Sequence, residues 1–161
     1  MELKIFCTGG TFDKVYFDAL SDYQIGDPQV SWILEQANVS FEYGIESILK
    51  KDSLDITDQD RAAIVAKVQQ EQSARIIITH GTDTMAETAL ALQTIPNKTI
   101  VLVGAMQPAR FRDSDAIFNI GFAVAAATLS APGVYVAMNG KLFAADQVQK
   151  NRAAGQFESK A

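Results

Sequence analysis

One cysteine in 161 residues rules out a disulfide within the chain and suits a reducing compartment. One histidine cannot hold a zinc ion unaided, and no Cys/His cluster has metal-ligand spacing, so no metal is expected. The sequence also lacks the Gly-x-Gly-x-x-Gly and Walker-type loops of nucleotide sites and the Gly-x-Ser-x-Gly elbow of serine hydrolases, and no cofactor is expected. No apolar run approaches the roughly 20 residues of a membrane span. Basic residues are outnumbered, 14 Lys and Arg against 19 Asp and Glu, and the isoelectric point near 4.8 argues against a nucleic-acid partner. Strand character from Leu3 onward leaves no room for a secretion signal, so the expected compartment is the cytoplasm.

What is present is an ordinary globular composition, 48% hydrophobic and 20% charged. The length fits one domain, residues 1–161, able to bury about two-thirds of its unfolded surface. Apolar runs at 3–7, 39–49, 76–78, 99–103 and 134–138 predict strands. Between them, helical patterns run over 27–37, 57–72, from Met85 onward, and 115–129. Asp27-Pro28 reads as a cap followed by proline at the first helical position. Thr57-Asp58-Gln59-Asp60 reads as a helix start with acids in its first turn. This alternation predicts an α/β, doubly wound, mostly parallel, Rossmann-like sheet. Asn139-Gly140 predicts a type I′ turn and hence a C-terminal β-hairpin, with 141–148 folding back. Residues 12–26 are polar and aromatic and too long for a usual connection, which predicts a lid or binding loop. The tail beyond Lys150 is expected to fray.

Chemistry concentrates where strands end in glycine and threonine. Ile76, Ile77 and Ile78 run into His80-Gly81-Thr82-Asp83, and a helix follows with Thr82 or Asp83 as its cap. The first strand breaks likewise at Thr8-Gly9-Gly10-Thr11, where paired glycines allow positive φ and close approach to a ligand. Ser53 is a third hydroxyl at the same rim. Each segment also has a plainer reading: a capped helix behind a satisfied histidine, a structural Gly-Gly turn, a local serine turn. Arg110, Arg112, Asp113 and Asp115 form either a solvated loop or a salt-bridged clamp. In open α/β sheets ligands settle in the crevice at the strands' carboxyl ends, where helix starts favour anions.

A threonine hydroxyl needs a base to act as nucleophile, and a desolvated lysine can serve as one. Amides at Gly10-Thr11 or Thr82-Asp83 could hold an oxyanion. Asp83 could bind an ammonium and helix-end amides a carboxylate. Together these support acyl transfer on a small zwitterion.

The motifs Thr8-Gly9-Gly10-Thr11 and His80-Gly81-Thr82-Asp83-Thr84-Met85-Ala86-Glu87-Thr88-Ala89 resemble the two signatures of bacterial-type L-asparaginases. Val103-Gly104-Ala105-Met106-Gln107-Pro108, Asp113-Ser114-Asp115 and Phe118-Asn119 resemble the stretch that follows in those enzymes, and Asp52-Ser53 resembles their serine-bearing loop. The resemblance implies hydrolysis of L-asparagine, and less readily L-glutamine, to the acid and ammonia without a cofactor. It implies Thr11 as the nucleophile that forms an acyl-enzyme, assisted by Tyr23, with Tyr16 a rival for that role. Thr82, Asp83 and Lys150 would form a second group in which Lys150 activates Thr82. Ser53 would take the substrate carboxylate, Asp83 its ammonium, and Gly10 and Ala105 would line the pocket through their backbone. It also implies a homo-oligomer, dimer or tetramer. Leu54 stands where many members have a glutamine, and Phe12-Asp13-Lys14 replaces small residues after the nucleophile. Longer members continue into a smaller C-terminal domain that completes a neighbouring subunit's site, and that domain is missing from this sequence. The competing class is a catalytically weak domain that senses an amino acid or needs a partner.

Overall fold

A computed structural model describes residues 2–161. Its strands are β1 (Glu2–Gly9), β2 (Lys14–Phe17), β3 (Asp22–Ile25), β4 (Glu42–Lys51), β5 (Arg75–Thr79), β6 (Thr99–Val103), β7 (Gly133–Met138), β8 (Lys141–Ala144), β9 (Val148–Asn151) and β10 (Gln156–Ser159). Its helices are α1 (Val30–Gln36), α2 (Asp58–Gln70), α3 (Met85–Leu92) and α4 (Ala116–Leu129). The main sheet has the order β4-β1-β5-β6-β7-β8. All its pairings are parallel except β7 with β8. Ile76, Ile77, Ile78 and Ile100 to Val103 are all fully buried, as strands covered on both faces must be. The expected α/β architecture is the one observed.

β1 lies between β4 and β5, so the chain leaves β1 in one direction and later returns to extend the sheet in the other. That reversal opens a crevice above the carboxyl ends of β1 and β5. Helices α1 and α4 line one groove, while α2 packs against α3. The β1–α1–β4 and β6–α4–β7 crossovers run in opposite directions across the sheet yet share a face, so they have opposite hands. The general preference makes the crossovers through α1, α2 and α3 right-handed, and the one through α4 is left-handed. Each face thereby receives two helices. α4 fits because Ala116, Ala123, Ala126 and Ala127 present small buried side chains to the sheet.

Several local expectations change. Residues 12–26 are not a plain loop: Lys14–Phe17 and Asp22–Ile25 pair as an antiparallel hairpin. Asp27 does not cap α1, which starts at Val30 after Gln29, because the Asp27 carboxylate is turned to Lys50, 2.7 Å away. Neither Thr82 nor Asp83 caps α3: Thr84 holds that position without a side-chain cap bond and donates instead to the Ser53 carbonyl at 2.7 Å. The tail does not fray, since Gln156–Ser159 pairs with β9 and Phe157 is 4% exposed. Asp115 forms no salt-bridged clamp; its carboxylate accepts from the amides of Met106 and Gln107 at 3.0 and 3.1 Å. Thr57 and Asp60 do form a reciprocal capping box at the start of α2, and Asn139 and Gly140 take the positive φ values, 54° and 77°, of a type I′ turn.

Candidate active site

The crevice floor is built from glycine. Gly10 follows β1 with φ 78°, and a Cβ there would lie 2.6 Å from the N and Cα of Gly81. A Cβ on Gly81 would in turn meet Ser53 Cβ at 2.6 Å. The strand ends of β1, β4 and β5 therefore touch backbone to backbone, which only hydrogen side chains permit. The Gly10 amide donates to the Lys51 carbonyl at 2.9 Å, locking β1's end onto β4. Thr11 and Thr82 each follow one of the two touching glycines, so their backbone positions stand side by side at the rim. Gly104 joins from β6: a Cβ there would lie 3.2 Å from Thr82 Cγ2, which sets buried Ala105 at the same spot.

His80 holds this arrangement from below. It is fully buried, with Nδ1 2.7 Å from the Gly81 carbonyl and Nε2 2.8 Å from Thr88 Oγ1. A carbonyl only accepts, so Nδ1 carries the proton and Nε2 accepts from Thr88. Burial pushes the ring's pKa down to about 4, which leaves it neutral and structural.

The long-range contact comes from β9. Lys150 Nζ donates to Thr82 Oγ1 at 2.8 Å and to Asp83 Oδ1 at 2.9 Å, across 68 and 67 residues of chain. The Lys150 ammonium, with Arg152 adding to it, holds the Asp83 carboxyl below its usual range. Because Lys150 donates to the Thr82 oxygen, the hydroxyl's own hydrogen is left for a water or ligand. Ser53 is 1% exposed, and its Oγ accepts from the Asp83 amide at 3.1 Å. The Thr11-Gly10, Ser53, Thr82, Asp83, Lys150 and Ala105 positions are thus contiguous.

The tyrosines are not. Tyr23 is 45% exposed and its ring packs edge-on against Tyr16 and Phe111, each with centroids 5.4 Å apart. No hydrogen bond joins either tyrosine to Thr11 among the described residues. One contact at the site escaped the sequence reading. Arg152 Nε lies 3.3 Å from Asp83 Oδ1, and nothing in the polar tail marked it. Asp13, noted in the sequence only as a replacement after the nucleophile, is 2% exposed and accepts from Gln29 N at 2.8 Å, so it ties down the root of the hairpin.

Fold and crevice together define an α/β protein with a Thr-Lys-Asp group beside a Gly-Thr turn at its switch point. Residues 2–159 match the family model described as Asparaginase, N-terminal, and the chain belongs to that family. A probable periplasmic L-asparaginase of Haemophilus influenzae is 36% identical over 160 residues, which cover 92% of this chain and 46% of that protein. The glutaminase-asparaginase of Acinetobacter glutaminasificans is 37% identical over 132 residues, 76% of this chain and 38% of that one. The thermostable L-asparaginase from Thermococcus kodakarensis superposes with a TM-score of 0.84 at 30% identity, covering 99% of this chain and 51% of that one. The chain spans about half the length of the relatives it matches. Among the described residues no helix is long and apolar enough to cross a membrane.

Proposed function

We propose that the chain hydrolyses the side-chain amide of L-asparagine to L-aspartate and ammonia through an acyl-enzyme on Thr11. The observation that carries this reading is Lys150 bridging Thr82 and Asp83 at 2.8 and 2.9 Å, beside the turn that presents Thr11. A domain that only bound an amino acid would have no need of a lysine on a second hydroxyl.

In the first half-reaction Thr11 Oγ attacks the amide carbon, and backbone amides at the crevice floor receive the developing oxyanion. The carbon–nitrogen bond then breaks. Nitrogen leaves as ammonia with the proton that Thr11 gave up, and an aspartyl ester remains. In the second half a water beside Thr82 attacks the ester carbon, its proton passes by way of the Thr82–Lys150 pair to Thr11 Oγ, and aspartate leaves as the ester bond breaks. Asp83 binds the ligand's ammonium, and Ser53 with the amides beside it binds the α-carboxylate. Tyr23 serves Thr11 only after its hairpin swings off Phe111, a closure of the kind that lids perform. L-Glutamine is a second, poorer substrate: one more methylene is worth only about 1–3 kcal/mol of discrimination, and one relative is named for both amides.

The test is ammonia release from L-asparagine by the purified chain. Thr11→Ala and Lys150→Met are expected to lower kcat by about two orders of magnitude or more while the protein still melts cooperatively. Asparagine-dependent thermal stabilisation of the parent chain with no ammonia would instead assign it to amino-acid sensing.

A further inference from the structure

Thr82 carries its hydroxyl and its methyl on one carbon, so whatever fixes the methyl also aims the hydroxyl. The methyl faces Gly104. A Cβ on Gly104 would lie 3.2 Å from Thr82 Cγ2 and would overlap the His80 carbonyl oxygen, so the methyl stands over the bare face of this glycine. With the methyl there, Thr82 Oγ1 meets Lys150 Nζ at 2.8 Å. The place of Gly104 therefore helps decide whether Thr82 points at the lysine.

Gly104 lies past the end of both strand ladders that flank β6. Pairing with β5 ends at Thr79 and Val103, and pairing with β7 ends at Leu102 and Val136. Two buried side chains take over. The Gly104 amide donates to Met138 Sδ at 3.3 Å, and the Gly104 carbonyl accepts from Asn119 Nδ2 at 3.0 Å. Asn119 is fixed in turn, because Nδ2 also donates to Asp115 Oδ2 at 3.0 Å and Oδ1 accepts from the Asn139 amide at 3.2 Å. Asn119 and Met138 are fully buried, so they reach no ligand themselves. A leucine would fill much the same volume as Met138. What the thioether adds is an acceptor, weak but the one that a buried amide has at hand.

We propose that Met138, with Asn119, is a positioning residue. By holding the N–H and the carbonyl of Gly104, the pair sets the Thr82 rotamer and with it the step that cleaves the ester. The inference rests on the hydrolase reading for what Thr82 does.

Met138→Leu keeps the volume and removes the acceptor. Slowing ester cleavage alone lowers kcat and KM by the same factor. A fall of about three- to tenfold in both is expected, with kcat/KM kept within about twofold, and with aspartyl ester accumulating on Thr11 in acid-quenched samples. Met138→Gln, whose side-chain oxygen can stand where the sulfur was, is expected to recover most of the loss. Val136→Ala opens a cavity in the same strand at a fully buried residue and reports what destabilisation alone does; KM and the ester level are expected to stay at the parental values. Three-bond couplings from Thr82 Cγ2 to its own backbone nitrogen and carbonyl carbon read the rotamer without turnover. One rotamer is expected in the parent chain and averaging in Met138→Leu. Averaged couplings in the parent, unchanged couplings in Met138→Leu, or a lower kcat at constant KM would each overturn the proposal. A parent chain that shows the expected couplings yet releases no ammonia overturns hydrolysis and leaves the hold on Thr82 standing.

Discussion

A buried carboxylate at the root of the β2–β3 hairpin sets a pH window for stability. Asp13 is 2% exposed, and burial pushes its pKa up to about 7, with the Gln29 amide and Lys50 opposing only in part. Its ordinary value is 3.8, so between those two values the folded chain binds more protons than the unfolded one. Its contribution is therefore fully present below about pH 4 and lost as pH rises toward 7. A separation of about 3 pH units, at about 1.4 kcal/mol each, sets an upper limit of about 4 kcal/mol. His80 acts in the opposite sense. Its folded pKa is about 4 against an ordinary 6.5, so its contribution is present above 6.5 and lost as pH falls through 4. In the parent chain the two slopes offset. Asp13→Asn keeps an acceptor for Gln29 N and removes the charge, exposing the His80 slope alone. Urea midpoints for parent and variant at intervals from about pH 4 to about pH 8 are the assay. The variant is expected to gain on the parent steadily across that range, by up to about 4 kcal/mol. A difference that does not change with pH would refute the reasoning.

Gly10→Ala places a Cβ 2.6 Å from the Gly81 backbone at φ 78°; a loss of about 2 kcal/mol or more and abolished ammonia release are expected, read by melting temperature and activity. Thr57→Ala removes the capping-box acceptor for Asp60 N, 3.1 Å away, and is expected to lower stability by about 1 kcal/mol with activity intact. Thr88→Val leaves His80 Nε2 buried without its 2.8 Å partner, an expected loss of about 1–3 kcal/mol by denaturant titration.

How much was legible in the chain depends on the range of the signal. The sheet, its order of strands and helices, and the type I′ turn at Asn139-Gly140 follow from local patterns, and so do the Gly-Thr turns that carry Thr11 and Thr82. Lys150 is different: it reaches Thr82 across 68 residues, and only resemblance to a family could single it out. The β2–β3 hairpin was hidden because Lys14, Tyr16, Asp22 and Gln24 dilute its apolar alternation, and its pairing buries no core face. Arg152 and Asp13 owe their importance to where the turn between β9 and β10 and the turn after β1 set them down. Nor could the left-handed crossover through α4 be read, since handedness depends on which face a helix chooses, and a helix buried mainly through alanine leaves little trace of that choice.

The most direct measurement is the mass of the peptide carrying Thr11 after the Lys150→Met chain is mixed with L-asparagine and quenched in acid. Without Lys150 the ester outlives its formation, so an aspartyl adduct on Thr11 is the expected result. Ammonia released by the parent chain with the adduct found on Thr82, or on no residue, would contradict the assignment of Thr11 as nucleophile.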